Sequence, residues 1–354
     1  MKTKRVANSF GVREISISSL LPLLLIACSG GGPNYEEYAF NGATMGTSYH
    51  ITIVGDSLDT NERSVIATQV DSVLNQYNQI LSTYEDASEI SYFNQELTSN
   101  PIVVSNELIR VVKVGLELCQ QSTGAFDITV MPIVNFFGFG FEEGHDRFPT
   151  IEEIDAWLAL TGCDRVVVGD GTIQKTDSRV SIDLSAIAKG DASDKVSDFL
   201  LAQGYENLFV EIGGEIMTRG VNRYGKSWKI GIDRPTFGGA PGADLQHIVE
   251  IGDLAIATSG DYRNYREVEG KRISHVIDPR TGSPISHNLA AVTVITDKCM
   301  YADGLATAVM VLGAEEGLDW LEDYPSAEGL LITREKNGEY REQMTSGFEK
   351  YIIK

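Results

Sequence analysis

Positive charge is scarce in this sequence: 29 Lys and Arg face 50 Asp and Glu across 354 residues, a formal net charge of −21. Such a surface repels phosphate backbones and anionic lipid heads, which argues against nucleic acid as a partner. An anionic substrate then needs a locally positive pocket or a metal ion. Long apolar runs are missing too, so no stretch is fit to cross a bilayer as a helix. The four cysteines form no Cys-x-x-Cys pair and no Cys/His cluster, which removes the metal and dithiol readings such spacings support. There is no Gly-x-Gly-x-x-Gly after a strand, no phosphate-loop lysine motif, no His-Glu-x-x-His and no Gly-x-Ser-x-Gly. Gly138-Phe139-Gly140 lacks a correctly placed third glycine. The common nucleotide and hydrolase templates therefore fail. What remains is ordinary for a globular protein, 42% hydrophobic and 22% charged, and long enough for two domains or one large elaborated one.

The first 27 residues read as an address. Lys2, Lys4, Arg5 and Arg13 form a basic start, and Leu20 to Ala27 is an apolar run too short to span a membrane. Leu25-Ile26-Ala27-Cys28 resembles the bacterial lipobox, which implies cleavage before Cys28 and a lipid on its sulfur; the alternative is an ordinary signal peptide with a chance cysteine. The expected organisation is a lipoprotein signal over 1–27, a lipidated Cys28 with a flexible tether over 28–38, and one domain over 39–354. The body would then be tethered to the membrane on the periplasmic side of the cell envelope. Ser29 favours outer-membrane sorting but leaves the choice of inner or outer membrane open. That compartment permits disulfides, yet Cys119, Cys163 and Cys299 are an odd set and are expected as buried free thiols.

Along the body, Tyr49–Val54 alternates as a strand. Helical stripes run from Val65 to Leu81 and from Leu108 to Cys119. Thr150-Ile151-Glu152-Glu153 is a capping box before a short helix. Strands are expected at 165–168, 179–183, 208–212, 228–232, 255–258, 273–277 and 291–295, and helices at 185–203 and 302–312, the latter two stopped by Gly204 and Gly313. Strands and helices mix without strict alternation, so the class is α+β, with mixed or antiparallel sheets and packed helices.

Three segments carry candidate chemistry. Asp303 and Thr307 stand at i and i+4, on one helix face, and offer hard oxygens suited to Mg²⁺ or Ca²⁺; equally, an N-cap Asp and a Thr bonded to its own backbone have this spacing. Asp183 ends an extended run and leads into a helix bearing Lys189, an arrangement that binds phosphate or a phosphate-bound metal, or merely caps the helix. His275 ends a strand before the Asp278-Pro279-Arg280-Thr281-Gly282 turn and is either a general base or a structural histidine. The turns at Thr44-Met45-Gly46-Thr47, Gly124-Ala125-Phe126-Asp127 and Gly213-Gly214 let a ligand approach the backbone. Tyr84 and Phe126 offer stacking faces.

Taken in order, these segments resemble the FAD:protein FMN transferases, the ApbE lipoproteins. The matching pieces include Ala43–Thr47, Leu81–Ser91 with Asn94, Gly124–Val130, Gly138–Gly140, Ile182–Gly190, Gly213-Gly214, Thr258–Tyr262, His275–Gly282 and Ala302–Ala308. The resemblance implies an ApbE-like, T-fold-like architecture and an enzyme. FAD would bind with Mg²⁺ on its pyrophosphate, a Thr or Ser hydroxyl of a second protein would attack the FMN phosphorus, and AMP would leave. It implies a metal held by Asp303, Thr307 and the Ala186 backbone carbonyl. It implies an FAD site lined by Met45, Tyr84, Ala125, Phe126, Asp127, Asp183, Lys189 and Ile277. Asp303 and His275 are expected to carry catalysis, His275 by activating the acceptor hydroxyl. The implied acceptors are flavin subunits of membrane quinone reductases and related electron-transfer complexes. Asp191, Phe137 and Glu215 depart from the family's usual side chains. Two rival readings use the same site: a Mg²⁺-dependent FAD pyrophosphatase with water as acceptor, and a non-catalytic FAD-binding lipoprotein.

Overall fold

The computed structural model describes residues 35–353. The signal segment, Cys28 and most of the tether lie outside the described residues, and the first strand already begins at Glu36. Eight strands form the main sheet: β1 (Glu36–Thr44), β2 (Thr47–Gly55), β3 (Asn207–Ile212), β4 (Glu215–Arg219), β5 (Ala255–Gly260), β6 (Leu289–Thr296), β7 (Glu328–Arg334) and β8 (Tyr340–Met344). Each pairs antiparallel with its neighbour in chain order, from β1 to β8. The sheet is thus a meander, and nearly everything else is inserted between its strands. This is the α+β, antiparallel class that the sequence suggests.

The longest insertion, between β2 and β3, holds α1 (Thr60–Leu81), α2 (Glu89–Gln95), α3 (Asn106–Gln121), α4 (Met131–Phe136), α5 (Ile151–Leu158) and α6 (Ser185–Ala202). Two further helices, α7 (Cys299–Leu312) and α8 (Ala314–Glu322), join β6 to β7. Asp59 and Glu62 form a capping box at the start of α1, and its Ile66, Val70, Leu74, Tyr77 and Leu81 are buried, each worth about 1.5–3 kcal/mol of removed apolar surface. Thr150 and Glu153 cap α5 as the sequence suggests.

Strand β6 is buried along all eight residues. Its Leu289, Val292 and Val294 face the core formed with α1, α3, α6 and α7. Its Ala291 and Ile295 join a second core with Ile230, Val249 and Phe348. Covered on both faces, the strand loses the apolar–polar alternation of a half-exposed one. The second cover is a hairpin, Trp228–Asp233 paired with Leu245–Ile251.

Helices α6 and α7 approach closely because small residues line the contact. A Cβ on Gly190 would sit 2.3 Å from the Cys299 carbonyl oxygen, and one on Gly304 would sit 2.9 Å from Ile187 Cγ2 on α6. The first turn of α7 has no cap from its own segment; the Asp194 carboxylate on α6 accepts the Cys299 and Met300 N–H groups at 3.0 Å each. An orphan helix N-terminus is thereby satisfied from a neighbouring helix.

Three expectations are corrected. Cys119 and Cys163 form a disulfide, with Cα atoms 5.7 Å apart, and only Cys299 is a buried free thiol among the described residues. Their separation of 44 residues matches no spacing motif, so only folding reveals the pair. The stretch 179–183 is not a strand. The Asn94 side chain pairs with both main-chain groups of Ile182, at 2.8 and 2.9 Å, and Asp183 N–H donates to the Ile128 carbonyl at 2.7 Å. A side chain and a loop take the bonds a neighbouring strand would have made. The expected strand 273–277 breaks at His275 and Val276, between a hairpin ending at Ser274 and a two-residue strand at Ile277–Asp278. That break places His275 at a bend.

Candidate active site

The site assembles around Lys189, in the second turn of α6. Its ammonium lies 3.6 Å from Asp303 Oδ2 on α7 and 3.5 Å from Glu215 Oε1 on β4. Burial alone would lower its proton affinity, but Asp303 and Glu215 outweigh that and hold it above the ordinary lysine range. Both carboxylates are buried, and burial raises the proton affinity of each against the pull of Lys189. Two carboxylates thus share one ammonium, and Glu215 Oε2 is buried without a hydrogen-bond partner. With both ionised, the two carboxylates outnumber the one ammonium.

Asp303 Oδ2 also accepts the Gly190 N–H at 3.1 Å. In an α-helix that N–H points at the carbonyl of residue i−4, here Ala186. Ala186 thus stands on the same helix, four residues before the group that Asp303 contacts. One turn further along α7, Thr307 Oγ1 meets Ser259 Oγ on β5 at 3.3 Å. Carboxylate, hydroxyl and carbonyl oxygens form the hard donor set of Mg²⁺. The residues present fit a divalent cation, whose charge would offset the surplus of buried carboxylates.

A second group flanks this cluster. His275 Nδ1 is 2.9 Å from the Asn264 carbonyl, and its ring meets the Phe139 ring at 6.2 Å between centroids. Burial depresses the imidazole's proton affinity, the Asn264 carbonyl opposes this, and both Lys189 and Asp261 lie within electrostatic reach. The exposed Tyr84 donates its hydroxyl to the Phe139 carbonyl at 3.4 Å. Burial of that hydroxyl, and then the Asp183 charge, raise its proton affinity. Asp183 itself accepts the Ser185 N–H at 2.8 Å, at the mouth of α6, and feels the Lys189 charge.

The remaining expected residues are Met45, Ile277 and the 124–127 loop. Met45 has φ 49 in the tight β1–β2 turn. Its neighbour Thr47 faces Gly213: a Cβ there would lie 2.9 Å from Thr47 Cγ2 and 3.1 Å from Lys189 Cδ. Glycine at φ 66 therefore lets this turn pass under Lys189. Ile277 is buried beside Phe136 and Phe137. Gly124 approaches Arg280 of the 278–282 turn. Ala125 and Phe126 are buried in the main core, and the Asp127 carboxylate accepts Thr129 N–H and Oγ–H at 2.8 and 2.7 Å. Gly124 and Ala125 N–H donate to the Cys119 and Ser122 carbonyls, so the loop is held by its own hydrogen bonds. Cys119, Asp127 and Cys163 lie close enough to share an ion, but the two sulfurs are bonded to each other.

Ser259 and Glu215 complete the cluster without having been named as ligands in the sequence. Both come from strands, where spacing along the chain carries no sign of facing Thr307 or Lys189. The one available signal was Glu215 itself, a long acid following paired glycines.

The ApbE family model matches residues 45–331. The FAD:protein FMN transferase of Vibrio cholerae is 41% identical over 340 residues, 96% of this chain and 98% of the relative. That of Escherichia coli is 35% identical over 325 residues, 90% of each chain. Among solved structures, flavin transferase ApbE from Vibrio cholerae superposes with a TM-score of 0.81 at 41% identity, covering 90% of this chain and 99% of that one. The apo flavinyl transferase ApbE of Pseudomonas stutzeri gives 0.80 at 37% identity, covering 90% and 97%.

Proposed function

The chain belongs to the ApbE family of flavin-transferring enzymes, and on that premise we propose that it moves FMN from FAD to a Thr or Ser hydroxyl of a partner flavoprotein, releasing AMP. The observation that carries this reading is the buried cluster of Lys189, Asp303 and Glu215, with Thr307 on the helix of Asp303 and Ala186 on that of Lys189. With both ionised, two carboxylates outnumber one ammonium there, and oxygen donors stand next to a cation suited to phosphate.

In this reading Asp303, Thr307 and the Ala186 carbonyl hold Mg²⁺. When bound, the ion neutralises the pyrophosphate and the charge that develops on the departing phosphate. Lys189 holds a bridging or terminal phosphate oxygen, fixed in place by Glu215 and Asp303. Tyr84 offers a face for the flavin ring at the rim, and the Met45 turn and the 124–127 loop bound the ligand. His275 accepts the proton of the acceptor hydroxyl as the new phosphoester bond forms. Its Nδ1 sits on the Asn264 carbonyl, which suits Nδ1–H and leaves Nε2 as the basic atom. The acceptors would be flavin subunits of membrane electron-transfer complexes, reached by a lipid anchor on Cys28.

The test is in-gel flavin fluorescence of a candidate acceptor subunit after incubation with enzyme, FAD and Mg²⁺. A fluorescent band is expected, lost with chelator. Asp303→Ala should slow its appearance by about 10²-fold or more, since a metal contributes several kcal/mol to such a transition state. A band of undiminished intensity in Asp303→Ala would refute the assigned metal site.

A further inference from the structure

The disulfide takes no part in the chemistry above, yet it closes around the flavin loop. Cys119 lies in the last turn of α3 and is fully buried; Cys163 lies in the link between α5 and the strand Val166–Val168. The loop 124–129 is fastened to both. On the α3 side, Gly124 N–H donates to the Cys119 carbonyl at 2.8 Å, and Phe126 N–H donates to Ser122 Oγ at 2.9 Å. On the Cys163 side, Thr129 Oγ1, itself bonded to Asp127, accepts the Gly162 N–H at 2.9 Å. An Asp127 carboxylate oxygen and the two sulfurs all lie within 4.8 Å of one another. From the far end of the loop, the Ile128 carbonyl accepts Asp183 N–H at 2.7 Å, so the loop's position is passed to the mouth of α6.

We propose that the Cys119–Cys163 disulfide is a positioning pair for the flavin loop, so that the oxidised chain binds FAD and the dithiol chain binds it poorly. The inference rests on the reading of the site as an FAD site. The bond forms by thiol–disulfide exchange with an oxidised dithiol oxidoreductase: the two thiols lose two protons and two electrons, the Sγ–Sγ bond forms, and the partner's disulfide leaves as two thiols. Without the bond, the Asp127–Thr129–Gly162 hydrogen bonds are left to join the loop to the Gly162–Cys163 link. FAD capture is thereby tied to oxidative folding.

The test compares the full chain oxidised, reduced by dithiothreitol under native conditions, re-oxidised, and as the Cys119→Ser/Cys163→Ser double variant. FAD affinity is read by flavin fluorescence at fixed Mg²⁺, and hydrogen exchange is followed peptide by peptide. Reduction and the double variant should each weaken FAD binding by about tenfold or more, the scale of a displaced positioning group. They should also raise KM more than they lower kcat, and speed exchange at 124–129 while β5 and β6 stay protected. Re-oxidation should restore the affinity. Unchanged affinity in a folded reduced chain would overturn the proposal, as would loss of protection throughout the sheet, which marks a general staple. If the oxidised chain binds no FAD, the flavin reading fails instead, and the exchange at 124–129 still decides whether the disulfide positions the loop.

Discussion

At the scale of the residue, His275 and Asp303 are tuned in opposite directions by the same cause. Burial disfavours the charged form of each, so the imidazole is neutral at a lower pH than usual and the carboxylate holds its proton longer. A neutral imidazole is the form able to accept a proton. As pH falls through its depressed pKa, His275 becomes charged and the base is lost. Transfer at saturating Mg²⁺ should therefore rise with pH to a plateau, with its half-maximum below the ordinary histidine value of about 6.5. His275→Gln should lower the plateau by about 10²–10⁴-fold and flatten that limb. A pH–rate profile measures both, and an unchanged limb in the variant would assign it to another group. The i and i+4 spacing put Asp303 and Thr307 on one helix face but fitted a cap and a back-bonded Thr as well; the metal reading came from the family resemblance. Glu215 and Ser259 were not legible, because strand residues meet the cluster through sheet register. The disulfide was not legible because nothing local links Cys119 to Cys163.

At the scale of the element, the site depends on how closely α6 and α7 approach. Gly190 leaves room for the Cys299 carbonyl and frees its N–H to reach Asp303. Gly190→Ala forces a Cβ to within 2.3 Å of that carbonyl oxygen and 2.9 Å of Asp303 Cβ. Backbone on one side and a packed helix on the other cannot both yield. The expected cost is about 1–3 kcal/mol of stability, read by thermal or urea unfolding, together with weaker Mg²⁺-dependent FAD binding. A variant of native stability and affinity would mean that the helices can separate without loss. Asp194 makes a companion case. Asp194→Ala leaves two N–H groups at the start of α7 unpaired and should cost about 1–2 kcal/mol in the same unfolding measurement. The helices were readable from their apolar stripes and caps. The stretch before α6 misread as a strand because the Asn94 side chain, a partner that periodicity does not reveal, takes the Ile182 main-chain bonds.

At the scale of the whole molecule, a sheet joined in chain order has the pieces of the proposed site delivered by the insertions: α6 from one, α7 from another, His275 from a third. The α+β class followed from mixed strand and helix signals. The meander order did not, because long insertions hide which strands are neighbours, and β6, buried on both faces, shows no alternation. The acidic surface gives the body no electrostatic hold on an anionic membrane, so its attachment would rest on the proposed lipid at Cys28. Cys28→Ala should abolish metabolic labelling with a radioactive fatty acid and move the protein to the soluble fraction. A labelled, membrane-bound variant would place the anchor elsewhere.

The central claim is that FMN leaves FAD for a protein hydroxyl, and mass spectrometry of the acceptor addresses it directly. After incubation with the enzyme, FAD and Mg²⁺, one Thr or Ser of the acceptor should carry the mass of an FMN phosphoester, with one AMP released per modified acceptor. AMP accompanied by free FMN and an unmodified acceptor would contradict the claim.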